Sequence, residues 1–245
     1  FPNPTQLTLP QSNSVVTNSG GDNCGGTPTV SIANALRLSC NIPFAEIGQA
    51  IGTRAILDQA MKFGFNSSVS VPLPSTPSIY PRALDLPQTM LSAFGQSSVR
   101  ASPLQMAMVS MAIANGGTLM QPNLVESITA SNLTVLQSLQ PSVFSEAISR
   151  VTAAELTQMM VANVSNGAAS NARIGGVDVA GKTGTAENGE GDPYSLWFTG
   201  FAPANDPQVV VAVVVQNGAG LGQSSFGNAI AAPIAKRVLE AVLFR

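Results

Sequence analysis

Three strand-like runs near the C-terminal end constrain this chain more than any other feature. Strands are read at 177–187, where Val177–Ala180 alternates, at 195–203 and at 208–216, and the intervals carry the turn residues Asn188–Gly191 and Asn205-Asp206-Pro207. Consecutive strands joined by short turns pair with their neighbours, so the three predict an antiparallel meander. A helix over 228–243 follows, with Pro233 inside its first two turns.

Upstream the pattern turns helical. Val30, Ala33, Leu36 and Leu38 fit a short helix over Thr29–Leu38 that breaks at Ser39-Cys40-Asn41. Pro43 opens a second helix to about Ile51, where a first-turn proline is tolerated. A third begins at Thr53 and ends at Gly64. Residues 66–86 form a proline-rich loop, and Leu86–Phe94 is a short helix. Ser102-Pro103 opens a helix to Ala114, closed by Asn115-Gly116-Gly117, and the methionines clustered at 106, 108, 111 and 120 read as core filling. One or two short strands fall within Leu124–Leu139. Thr152-Ala153-Ala154-Glu155 reads as a capping box for a helix to Val164, stopped by Asn166-Gly167. Residues 1–26, rich in Pro, Asn, Ser and Gly, read as a surface loop entering from an upstream segment. Helices, then a meander, then a terminal helix predict an α+β fold with an antiparallel sheet packed by helices over residues 27–245.

Composition excludes several functions. The chain is 44% hydrophobic and 10% charged, as expected of a globular core. Its net charge of −2 and lack of any basic run argue against nucleic-acid partners. The longest purely apolar run, Val209–Val215, is far short of the roughly 20 residues of a membrane helix. The start at Phe1 reads as that of a processed piece of a longer protein. There is no histidine, which removes Ser-His-Asp and Cys-His catalysis and most zinc chemistry. No metal or cofactor is expected, and any general base is a carboxylate or a lysine. Cys24 and Cys40, 16 positions apart, are either a disulfide or two half-buried thiols.

Three hydroxyl-bearing clusters stand out. Ala180-Gly181-Lys182-Thr183-Gly184-Thr185 fixes one of only three lysines between glycines on a predicted strand. A cation and hydroxyls on extended backbone suit an anion, and the flanking glycines clear both strand faces for another backbone. A Lys-Thr-Gly triplet alone is nevertheless an ordinary turn more often than a site. Ser39-Cys40-Asn41 lies at a helix break, where a Ser/Asn pair is usually a cap. Ser97-Ser98 reads as a turn.

Taken together, Ser39-x-Asn41 followed by Lys182-Thr183-Gly184-Thr185 resembles the second and third signatures of the penicillin-binding serine acyl-transferase family. The likeness extends to Ala35–Phe44, to Met61-Lys62-Phe63-Gly64-Phe65, and to Trp197-Phe198-Thr199-Gly200-Phe201-Ala202-Pro203. The stretch Ala93–Ala107 with Ala114–Leu119 is similar to an element of the class B, high-molecular-weight members. The resemblance covers about 27–243 and implies the penicillin-binding/serine β-lactamase-like transpeptidase fold. The family's first signature, Ser-x-x-Lys, is absent: Gln59, Val179 and Pro233 stand three residues before Lys62, Lys182 and Lys236. In the family that signature precedes Ser-x-Asn, so the chain is expected to be the C-terminal portion of the domain. Its expected partner is an N-terminal segment of the same protein, which would cover an exposed sheet edge and carry any membrane anchor.

The implied activity is cross-linking of D-Ala-D-Ala stem peptides of peptidoglycan through an acyl-enzyme, inhibited by β-lactams. The implied location is the outer face of a bacterial cell membrane, where a Cys24–Cys40 disulfide is expected. Ser39 is expected to relay a proton, and Asn41 to hold the substrate amide. Lys182, Thr183, Gly184 and Thr185 are expected to seat a carboxylate. A serine β-lactamase shares these signatures, but no deacylating glutamate stands out over 126–170. A catalytically silent β-lactam- or peptidoglycan-binding sensor domain is the other reading.

Overall fold

Strand-forming runs and the turns between them place the three C-terminal strands where the sequence predicts them. In the computed structural model, which describes residues 1–69, 71, 73 and 75–245, the chain runs β1 (Gln6–Thr8), β2 (Val15–Thr17), α1 (Ile32–Leu38), α2 (Ile42–Lys62), α3 (Leu86–Ser92) and α4 (Pro103–Ala114). It continues with β3 (Thr118–Met120), β4 (Ser127–Thr129), β5 (Val135–Ser138), β6 (Val143–Glu146) and α5 (Arg150–Asn166). The meander β7 (Ala180–Ala186), β8 (Ser195–Ala202) and β9 (Val209–Val215) and helix α6 (Gly227–Leu243) complete it.

Strands β7, β8 and β9 form one antiparallel sheet in that order, with Lys182 opposite Thr199 and Thr199 opposite Ala212. On the central strand β8, Leu196, Phe198 and Phe201 are fully buried, each contributing about 1.5–3 kcal/mol of burial. Phe198 packs with Ala231, Ala232, Ala235 and Leu239 of α6, while Phe201 packs with Ile113 of α4 and Met160 of α5. The α+β expectation therefore holds, with helices on the sheet.

Local differences have local causes. The break expected between Ile51 and Thr53 is a kink inside α2, at Gly52 with φ 76°. Helix α1 starts at Ile32 rather than Thr29, because Ser31 accepts from the Asn34 N–H and Val30 donates to the Phe1 carbonyl. Helix α5 begins one turn before the expected capping box, because the Ser149 hydroxyl accepts from the Thr152 N–H at 3.0 Å. Met108 and Met111 join the core as expected. Residues 70, 72 and 74 of the expected proline-rich loop lie outside the described residues.

Residues 1–26 are not a plain surface loop. Gln6–Thr8 and Val15–Thr17 pair as a hairpin, and Leu9 and Val16 are buried against Ile42, Ala45 and Met90. Asn3 and Asn18 are also buried, tied to backbone carbonyls. A composition of turn formers hid this segment because its apolar anchors are only two. Cys24 and Cys40 form a disulfide that fastens it to the end of α1.

Candidate active site

Ser39 ends α1 in the left-handed region, with φ 61° and ψ 46°. A β-carbon is disfavoured there, and glycine is the usual occupant. Retaining a hydroxyl at such a position points to use of the side chain. The turn is fixed from behind by α5. Asn163, fully buried, donates from Nδ2 to the carbonyls of Leu36 at 3.2 Å and Arg37 at 2.6 Å. These are end-of-helix carbonyls, which lack the usual donor one turn further along the helix. The Ala168 N–H adds a bond to the Arg37 carbonyl, which sits 2.2 Å from where a β-carbon on Gly167 would stand.

Strand β7 brings Lys182 against this turn, behind the groove-lining residues Thr183, Gly184 and Thr185. Its Nζ donates to Ser39 Oγ at 2.7 Å and to the Thr183 carbonyl at 2.8 Å. No carboxylate offsets the charge, and burial lowers the ammonium from 10.5 to about 8. Because Ser39 Oγ accepts from Lys182, the Ser39 proton remains free to be donated into the groove. Thr183 donates to the Ala168 carbonyl at 3.1 Å, so its proton is committed to the protein. Thr185 is the reverse case: its Oγ1 accepts from the Gly227 N–H of α6 at 3.2 Å, which leaves its proton for a ligand.

Asn41 stands at the start of α2 with its side chain uninvolved in capping. Its Nδ2 donates to the Thr17 carbonyl at 2.9 Å. The usual capping explanation of a Ser/Asn pair therefore does not describe this one. Ser39, Asn41, Thr183, Gly184 and Thr185 all line one groove of about 800 Å³, with Thr17 to Gly21 and Gln96 and Ser97 on its other walls. Ser97, expected to be a turn residue, has φ 65° and also faces this groove. The two glycines expected to clear the strand differ. Gly184 lines the groove, whereas Gly181 makes room for the Phe198 ring, whose Cζ lies 2.4 Å from where a β-carbon would stand.

Sequence reasoning missed Asn18, Asn163 and Gly227. Asn163 carried a signal, a polar residue on the apolar stripe of Met160 and Val164, whereas Asn18 sits in a polar run that offered none. Among the described residues, no cluster of His, Cys, Asp or Glu is arranged to hold a metal ion.

A half-buried lysine is thus joined to a left-handed serine beside the edge strand of the sheet. Residues 5–240 match the penicillin-binding protein transpeptidase domain, and the chain belongs to that family. It is 39% identical to the peptidoglycan D,D-transpeptidase PbpA of Mycolicibacterium smegmatis, over 98% of this chain and 50% of that protein. It is 38% identical to PbpA of Mycobacterium tuberculosis, over 97% of this chain and 49% of that protein. The solved ceftriaxone acyl-enzyme complex of penicillin-binding protein A from M. tuberculosis superposes with a TM-score of 0.95 at 37% identity, covering 99% of this chain and 55% of that one. The chain thus spans about half the length of the curated relatives it matches.

Proposed function

We propose that this chain is the C-terminal part of a peptidoglycan D,D-transpeptidase whose nucleophilic Ser-x-x-Lys comes from an upstream segment of the same protein. The observation that carries the reading is the 2.7 Å bond between Lys182 Nζ and Ser39 Oγ at the edge of an open groove. The upstream serine attacks the carbonyl of the penultimate D-alanine and passes its proton to its own lysine, in a site without histidine. Ser39 relays a proton to the departing amine, so that D-alanine leaves neutral at nitrogen and an acyl ester remains. An acceptor amine of a second stem peptide then displaces the serine oxygen. Lys182 and the Thr185 hydroxyl seat the terminal carboxylate, and Asn41 holds the peptide amide. The Thr185 N–H contributes to the oxyanion hole with that of the nucleophile.

The β7 edge bordering the groove suits an extended peptide, and a β-lactam carries the same carboxylate beside its reactive carbonyl. The solved relatives include ceftriaxone and penicillin G acyl-enzymes. The all-aliphatic edge strand β9, Val209–Val215, is the edge against which the upstream segment adds. No described helix is long and apolar enough to cross a membrane. We place the membrane anchor in the upstream part and the domain on the outer face.

The test is fluorescent penicillin labelling of the full-length protein with intact-mass analysis. We expect one adduct, mapping to a Ser-x-x-Lys serine upstream of Phe1, and sharply slower acylation in Lys182→Ala. Unchanged labelling of Lys182→Ala would sink the carboxylate assignment. A label on this chain's own residues would sink the division of the site.

A further inference from the structure

The N-terminus of α2 is capped by a residue from another part of the chain. Asn41 already has helical backbone angles, φ −85° and ψ −47°, whereas a residue that caps with its own side chain sits in the extended region. The first N–H groups of the helix still need an acceptor in this buried corner. Asn18 supplies it: its Oδ1 accepts from the Asn41 N–H at 3.0 Å and from the Ile42 N–H at 3.1 Å. Pro43, next in line, has no N–H to satisfy.

Asn18 is itself held in place. It is 2% exposed, and its Nδ2 faces Asn3 Oδ1 at 3.2 Å and the carbonyls of Pro4 and Asp22, both at 3.4 Å. Asn3, wholly buried, donates to the carbonyls of Cys24 and Thr27, both at 2.8 Å. Cys24 is joined through the disulfide to Cys40, the residue between Ser39 and Asn41. Two buried amides and one disulfide therefore close a ring around the Ser39–Asn41 turn.

We infer that Asn18 is a positioning residue for Asn41. By taking over the cap it frees the Asn41 side chain, which lines the groove, donates from Nδ2 to the Thr17 carbonyl and has no bond to Oδ1 among the described residues. The inference rests on the proposed role of Asn41 in holding the substrate amide. Residues 17–21 line the same groove, so the segment that carries the cap also forms a wall of the site.

The experiment is a double-mutant cycle on the full-length protein, reading the second-order rate of acylation by fluorescent penicillin well below the unfolding temperature. Asn18→Ala is expected to lower that rate about tenfold to a hundredfold, as for a catalytic group misplaced by an ångström. Asn41→Ala is expected to lower it at least as far. The double variant should match Asn41→Ala in rate, because Asn18 acts on acylation through Asn41. Wild-type rates in Asn18→Ala, or losses that multiply in the double variant, would overturn the inference. If Asn18→Ala does not fold, the cycle is run with Asn18→Ser and read by the same two outcomes. If Asn18→Ser also fails to fold, rapid amide exchange at Asn41 and Ile42 in the wild type overturns the borrowed cap, and protection there supports it. Wild-type protein that is not acylated at all contradicts the proposed function instead, so the two failures are distinguishable.

Discussion

Lys182 donates to Ser39 across 2.7 Å, joining the sheet to a helix terminus 143 positions earlier in the chain. Both residues are fixed before any ligand arrives. Ser39 is held by carbonyl bonds from Asn163 and Ala168, and Lys182 by the register of β7 on β8. The site is therefore a preformed seam between two layers rather than a loop that must order on binding. Preorganised donors of this kind cost no rearrangement when a ligand carboxylate arrives.

That lysine sets a pH dependence. With its ammonium at about 8, Lys182 loses its charge as pH rises through 8, and the proposed carboxylate seat weakens with it. The second-order rate of penicillin acylation in the full-length protein should fall on the alkaline side with an apparent value near 8, and Lys182→Arg should remove that limb. Stability should move the other way. The unfolded chain keeps this proton up to 10.5 and the fold releases it near 8, so stability contributed by Lys182 rises with pH across that window. Denaturant titrations of wild type and Lys182→Met from pH 7 to 11 check the sign. Wild-type stability minus that of Lys182→Met should rise with pH across that window.

Strand order was legible in the sequence because β7, β8 and β9 are local and joined by marked turns, and the Lys-Thr-Gly-Thr stretch stood out through its resemblance to a family signature. The hairpin of residues 6–17 was not, since only Leu9 and Val16 anchor it and the rest of its stability comes from Asn3, Asn18 and the disulfide. Side-chain amides bonded to distant backbone leave no period in a sequence. For the same reason the roles of Asn163 and Asn18 at the Ser39–Asn41 turn emerged only in three dimensions, although the turn itself was evident.

The disulfide gives a second prediction. Cys24 and Cys40 close a loop of 16 residues, and constraining such a loop in the unfolded chain is worth about 3 kcal/mol. The Cys24→Ser, Cys40→Ser double variant of the full-length protein should lose roughly that much in a urea titration. It should also acylate more slowly, because Cys40 lies between the two site residues it steadies. Full activity at unchanged stability would show that the amide network alone holds the turn.

Two glycines predict different penalties for the same substitution. A β-carbon on Gly181 would lie 2.4 Å from Cζ of Phe198, a side-chain tip that must tilt against its core neighbours rather than a backbone atom. Gly181→Ala should cost about 1–3 kcal/mol, as overpacking does. A β-carbon on Gly227 would lie 2.4 Å from the Gly184 carbonyl and 2.5 Å from that of Trp197, neither of which can give way without moving the sheet. Gly227→Ala should therefore be the more destabilising. It should also slow acylation further, because the Gly227 N–H orients the Thr185 hydroxyl. Comparing urea midpoints and labelling rates of the two variants tests both orderings.

Asn163 separates packing from hydrogen bonding at the Ser39 turn. Only its Nδ2 is used; Oδ1 finds no partner among the described residues. Asn163→Leu removes the donor, but Leu36 and Arg37 keep backbone bonds from Ser39 and Ala168, so its cost should stay near 1 kcal/mol. Asn163→Asp keeps the shape yet turns the donor into a carboxylate oxygen facing two carbonyls in a buried site. That variant should lose about 3 kcal/mol or more at neutral pH and recover part of the loss below pH 5, where a protonated Asp can donate again. Thermal unfolding at pH 4.5 and 7.5 distinguishes the two. An Asp variant no worse than Leu at pH 7.5 would show that solvent or movement of α5 relieves the contact, and that Asn163 does not anchor the turn.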